Sequence, residues 1–144
     1  MSVARALVVS SLLSLVVAVS LSGQQAPAAP QTAKAAGNIE HGRYLVENVV
    51  MCYECHSTRD PQGNIVPGTR FRGGPMPMRP SWSSDWPIQI PRIAGLPGYN
   101  DEQAMRLLTQ GAIRRDGTQL RYPMPRFHMN PQDAADVIAY IRSL

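Results

Sequence analysis

Cysteine, histidine and aromatic residues are scarce in this chain. Among 144 residues there are two cysteines and three histidines, and 6% of side chains are aromatic and 17% charged. Two thiols without a second closely spaced ligand pair do not make the usual structural zinc module. No βαβ pattern precedes the cysteines, as a thioredoxin-like redox pair would require. A disulfide between Cys52 and Cys55 would close too short a loop to stabilise much. Glycine-rich phosphate loops, nucleophile triads and a basic-aromatic nucleic-acid surface are also missing, and the basic run GTRFRGG is too short to argue for RNA. The net charge of +4 gives at most a mild preference for acidic docking surfaces.

A long unbroken apolar run is missing too. Residues 1–22 carry one cation, Arg5, then ALVVSSLLSLVVAVSL and small residues, which reads as a secretory signal. Serines interrupt the apolar stretch, so an uncleaved membrane anchor is the weaker alternative. No cysteine lies near the cleavage region to take a lipid. Residues 23–37 (GQQAPAAPQTAKAAG) are too poor in large apolar groups to pack and read as a flexible tether. Residues 38–144 are left as one domain of a size that struggles to bury enough surface unaided.

Against this sparse background stands Cys52-Tyr53-Glu54-Cys55-His56. Two thiols three apart with an imidazole directly after the second form the attachment signature of a c-type haem: the cysteines bond to the porphyrin edge and the histidine reaches the iron. On a helix, residues i, i+3 and i+4 share a face, so all three side chains can meet one flat ligand. One haem would then supply the apolar mass that the small domain lacks.

The spacing predicts a first helix from an Asn38 cap through Cys55. Gly42, Leu45, Val49, Cys52 and His56 form its buried stripe, with Val46 and Tyr53 beside it. Gly42 is either a weak helix position or a bare backbone that another helix crosses closely. Tyr44 suits core or surface equally, and Met51, on the same helix as His56, cannot reach the far side of the haem. Between Ser57 and Tyr99 the chain is studded with proline and glycine, and so long a connection must wrap something. Ile65, Val66, Phe71, Trp82, Trp86, Ile88, Ile90, Ile93 and Leu96 are the residues available to bury against a haem. From Arg70, Arg72, Arg79 and Arg92, one or two are candidates to hydrogen-bond propionates, as are the Trp82 and Trp86 indoles.

Two further helices announce themselves by their caps. Asn100-Asp101-Glu102-Gln103 is a capping box leading to Met105, Leu107 and Leu108 and a stop at Gly111; Met105 reads as core. Asn130 and Pro131 open the last helix, whose stripe is Ala134, Val137, Ile138 and Ile141, with Tyr140 on its flank. Between these helices lies Arg121-Tyr122-Pro123-Met124-Pro125-Arg126-Phe127-His128-Met129. A thioether between two prolines is held in a pre-ordered turn, which suits a weak iron–sulfur bond. Met124 is therefore the first choice for the sixth iron ligand. The rivals are Met76 and Met78 in Pro75-Met76-Pro77-Met78, then His128 and Met129; His128 reads better as a surface or neighbouring histidine.

In this order of elements, residues 39–144 resemble a class I cytochrome c domain. HGRYLVENVVMCYECHSTRDPQG, GTQLRYPMPRF and DAADVIAYIRSL are similar to the small cytochrome c subunits of bacterial periplasmic and membrane-associated dehydrogenases. The resemblance implies an all-α cytochrome c fold of three to four short helices and long Pro/Gly-rich loops around one covalent haem c. It implies thioether bonds at Cys52 and Cys55, with His56 and Met124 as axial ligands. It also implies that Gly42 and Tyr44 meet the last helix near Tyr140, and that a proline carbonyl, from Pro67 or Pro75, orients the histidine. The expected role is a periplasmic or otherwise exported electron carrier, not an enzyme. Its partners would be redox proteins (a dehydrogenase, an oxidase or another cytochrome), with membrane association through the N-terminal segment. A vacant or labile sixth position would instead make a haem enzyme or sensor, and a domain that mainly docks would be a subunit of a larger oxidoreductase.

Overall fold

The computed structural model describes residues 36–144. The expected signal and most of the tether fall outside the described residues. Four short helices and one minimal β-ladder appear in the order α1 (Ile39–Tyr44), α2 (Cys52–Cys55), β1 (Gly74–Pro75), β2 (Gln89–Ile90), α3 (Asp101–Thr109) and α4 (Pro131–Ser143), with a π-helical turn, Leu45–Val49, after α1. The two strands pair antiparallel, Gly74 opposite Ile90 and Pro75 opposite Gln89.

Helices α1 and α4 cross at the centre of the fold, and α3 packs on α4. The crossing is tight because Gly42 has no side chain: a Cβ there would lie 2.0 Å from the Asp136 carbonyl oxygen and 3.0 Å from the Tyr140 Cβ. Asp136, buried beneath the same crossing, ties the start of α1 to α4. Its Oδ1 accepts from the Asn38 N–H (2.7 Å) and the Gln132 amide (2.8 Å), and its Oδ2 lies 2.7 Å from His41 Nδ1. Val46, Val137 and Ala134 fill the core around it. Tyr53, Phe71 and Tyr140 extend this core in a chain of edge-to-face contacts, with ring centroids 6.3 and 6.4 Å apart. The Tyr140 hydroxyl donates to Glu47, which also pairs with Arg70 at 2.8 Å. Burial, then that carboxylate bond, pushes the phenol up to about 12, so it stays a neutral donor.

The first helix differs from the continuous one expected. The chain leaves α-geometry at Leu45, where the Val50 N–H reaches back five residues to the Leu45 carbonyl (2.8 Å). It then breaks at Met51, which sits in the left-handed region at φ 51°, ψ 50°. Only one further turn, Cys52–Cys55, carries the thiols. Within the widened turn the buried stripe passes through Val46, while Val49 is 52% exposed. Tyr44, expected beside Tyr140, is also exposed, its ring stacked on His41 at 6.4 Å.

A left-handed Met costs about 1 kcal/mol relative to glycine. Met51→Gly relieves that strain but adds freedom to the unfolded chain, so a net gain of only about 0.5 kcal/mol is expected. Met51→Val, with a branched Cβ, should lose about 1–2 kcal/mol. Denaturant titration of both variants checks the opposite signs.

The capping box at α3 is complete: Asn100 Oδ1 accepts from the Gln103 N–H (2.8 Å) and Gln103 Oε1 from the Asn100 N–H (3.1 Å). α3 ends at Thr109, and Gly111, at φ 87°, turns the chain away. At α4, Asn130 accepts from the Asp133 N–H (2.8 Å) with Pro131 in the first turn, and Ala134, Val137, Ile138 and Ile141 are buried as their spacing predicts.

Candidate haem-binding cavity

The long connection after His56 closes on itself through a few backbone bonds. The Gly73 N–H donates to the His56 carbonyl (3.0 Å), the Ile93 and Ala94 N–H groups to the Phe71 carbonyl (2.9 and 3.0 Å), and the Gly95 N–H to Ile141 of α4 (2.8 Å). Together with the β1–β2 ladder these bonds carry residues 90–96 back beneath the thiol-bearing turn. Phe71, Ile90 and Leu96 are buried and Ile93 packs on the core. Other members of the expected wrap turn outward: Trp82 is 84% and Ile88 74% exposed. They lie on the loop between β1 and β2, and although the Ile88 carbonyl accepts from the Met76 N–H (3.0 Å), its side chain faces solvent.

His56 is buried, and its Nδ1 lies 2.8 Å from the carbonyl oxygen of Pro91. A carbonyl only accepts, so Nδ1 carries the proton and the lone pair is left on Nε2. Burial lowers the affinity of the ring for a second proton, against the opposing pull of the Pro91 carbonyl. The ring is thus a neutral, oriented imidazole of the kind iron binds. Pro91, not Pro67 or Pro75, supplies the carbonyl. The proline lies 35 residues from the histidine, and the closing bonds at Gly73 and Phe71 bring it there.

An apolar cavity opens beside this histidine. Val50, Cys52 and His56 form one wall, Ile93 and Leu96 the edge, and α3 and α4 contribute Ala104, Leu107, Leu108, Val137, Ile138 and Ile141. Met124, Phe127 and Met129 complete the lining. Apart from His56, the lining side chains are apolar. Cys52 is partly buried and Cys55 exposed, and neither is in a disulfide. Burial pushes the Cys52 thiol up to about 11, the reverse of the activated thiolate in a thioredoxin-like pair.

Of the four methionines considered for the iron, Met124 and Met129 line the cavity, whereas Met76 and Met78 do not and Met78 is 72% exposed. His128 is exposed, its ring against Gly111. Several arginines considered for propionates are otherwise engaged: Arg70 with Glu47, Arg79 with the Ser84 carbonyl (2.8 Å), and Arg92 Nε with the Ala94 carbonyl (2.9 Å). The Trp86 indole N–H is buried and has no acceptor within the described residues.

An apolar cavity bounded by an oriented imidazole, a CxxCH turn and two thioethers has the donor set that a covalent haem would need. The chain belongs to the cytochrome c family, whose model, described as Cytochrome c, matches residues 39–144. Members of this family bind haem c covalently and generally transfer electrons without bond-making chemistry. No curated protein matches the chain. The fold agrees with the family in being helical with long loops, and the two-residue strands are its only sheet among the described residues.

Signal for Pro91 as the orienting carbonyl was absent from the local sequence. Met129 was within view, since it lies five residues beyond Met124 and immediately before the α4 cap.

Proposed function

We propose that the chain is an exported, monohaem c-type cytochrome that passes single electrons between a donor such as a periplasmic dehydrogenase and the respiratory chain. The observation that carries the proposal is the placement of His56 and Met124 on the lining of one apolar cavity beside Cys52. Bound haem supplies a one-electron couple, and every other part of the mechanism belongs to the polypeptide. Cys52 and Cys55 are the attachment residues. His56 presents Nε2 because Pro91 holds Nδ1–H. Met124 would offer a thioether to bound haem from a turn stiffened by Pro123 and Pro125, a partner for His56 that suits electron transfer rather than substrate binding. The apolar walls exclude water and raise the energy of the more highly charged oxidised state, so the potential should be positive. Residues 1–22 are the proposed export signal and residues 23–37 the tether.

Absorption spectra of oxidised and reduced protein, including the weak near-infrared band of iron–sulfur ligation, test this reading. Wild type should show a low-spin c-type spectrum with that band, and Met124→Ala should lose the band while keeping the covalent haem. Retention of the band in Met124→Ala would transfer the ligand role to Met129, the other thioether in the cavity. A colourless, folded mature protein would end the haem reading altogether.

A further inference from the structure

The backbone around His56 closes into a ring of hydrogen bonds that runs through a side chain outside the cavity. Ser57, next to the histidine, is 3% exposed, and its Oγ accepts from the Phe71 N–H (3.3 Å). The bond is long, but with both residues buried no water replaces it when it is lost. The Phe71 carbonyl accepts from the Ile93 and Ala94 N–H groups (2.9 and 3.0 Å), which follow closely on Pro91. The Pro91 carbonyl returns the ring to its start by accepting from His56 Nδ1 (2.8 Å).

Two further observations show how firmly this ring is held. Phe71 sits in the left-handed region at φ 61°, a conformation that a residue with a side chain keeps only when its surroundings over-determine it. They do so here: both its backbone polar groups are bonded, and its aromatic ring stands edge-to-face with Tyr53 and Tyr140. Gly73, whose N–H donates to the His56 carbonyl, lies against the same proline. A Cβ there would stand 2.7 Å from the Pro91 carbonyl carbon and 2.3 Å from the Ile90 oxygen. The Pro91 carbonyl is thus located from two sides, by the bonds to Phe71 and by the bare backbone of Gly73.

We propose that Ser57 is a positioning residue for His56: through Phe71 it fixes where the Pro91 carbonyl lies, and so how firmly Nδ1–H is bonded and how strongly the imidazole donates to iron. The proposal rests on the reading of His56 as an axial ligand and adds a residue that acts through it. A firm Nδ1–H bond raises the basicity of the ring, which favours oxidised iron. Loosening that bond should therefore raise the reduction potential. A fold that merely loosens and admits water acts in the opposite sense, because solvent stabilises the more highly charged oxidised state. The sign of the change separates positioning from general disruption.

Spectroelectrochemical titration of the full haem-loaded protein reads that sign. Ser57→Thr keeps the oxygen, and Ser57→Val has the same shape without it, so the difference between the two isolates the hydroxyl from the added bulk. At a fixed applied potential, Ser57→Val should shift the ratio of reduced to oxidised protein about threefold to tenfold toward reduced, relative to Ser57→Thr. Tenfold corresponds to about 59 mV for one electron. The paramagnetically shifted His56 Nδ1–H resonance should also exchange with solvent faster in Ser57→Val than in Ser57→Thr. Thr69→Val is the control. Thr69 Oγ1 accepts from the Thr58 N–H (3.2 Å) and donates to the Val66 carbonyl (2.7 Å) in the same loop but outside the ring. That variant should lose stability in denaturant while its ratio stays within about twofold of wild type.

Every variant is compared with its near-infrared band retained, so that the sixth ligand is unchanged. A lowered potential in Ser57→Val, equal potentials in the Thr and Val variants, or an equal rise in Thr69→Val would overturn the proposal. Should the branched variants not fold, Ser57→Ala against wild type carries the same comparison with the same signs. A wild-type protein with no c-type spectrum fails the axial-ligand reading instead, and that outcome is visible before any titration.

Discussion

Gly42→Ala should cost about 4 kcal/mol or more, because its added methyl group would make the shortest contact of any glycine among the described residues. The added Cβ would meet backbone, 2.0 Å from the Asp136 oxygen and 2.5 Å from its carbonyl carbon, so no side-chain rotation relieves the overlap. Helices α1 and α4 would have to separate, and the core formed by Val46, Val137 and Tyr140 would open with them. The helix-propensity gain of alanine over glycine, about 1 kcal/mol, is too small to offset this. Chemical denaturation of the haem-loaded variant, monitored by visible absorption and far-ultraviolet circular dichroism, measures the loss. A Gly42→Ala protein as stable as wild type would show that the two helices do not cross at this contact.

Asp136→Ala should come next, at about 3 kcal/mol. The carboxylate is 2% exposed, and its removal strands the Asn38 N–H, the Gln132 amide and the His41 ring in or beside the crossing. Burial by itself raises the affinity of this carboxylate for a proton. The Asn38 N–H and the His41 and Gln132 donors outweigh it, and the folded-state pKa lies below the ordinary carboxylate value.

That depression fixes the sign of the pH dependence. A depressed folded pKa gives stability that is fully present above the unfolded value of about 3.9 and is lost as pH falls through the folded value. Wild type should therefore lose stability on acidification below about pH 4, and Asp136→Asn, already destabilised at pH 7, should show a shallower loss over that window. Denaturant midpoints of both proteins from pH 7 down to about 3 measure it; parallel curves would remove Asp136 from the acid transition.

Gly42 and Asp136 both belong to the contact that sets where the thiol-bearing turn can lie. α1 leads through the π-helical turn to Met51 and the CxxCH segment, so the α1–α4 crossing is the mount for one wall of the cavity. α4 supplies Val137, Ile138 and Ile141 to another wall. A change at the crossing should thus appear in the visible spectrum as well as in stability.

Features that depend on neighbours within about four residues were legible in the amino-acid order alone. The CYECH pentapeptide, the Asn100–Gln103 capping box, the Asn130-Pro131 start of α4 and the proline-flanked Met124 could all be read directly, because helix caps and attachment spacing are local chemistry. Even Gly42 was legible as a place where a bare backbone permits a close crossing. Tertiary structure decided the remainder. It selected Pro91 to hold His56, put Met129 beside Met124 in one cavity, turned Trp82 and Ile88 to solvent, and broke the first helix at Met51. Each of these depends on how a loop of more than thirty residues closes, and a sequence window records neither the few backbone bonds that close it nor the packing that makes a left-handed methionine tolerable.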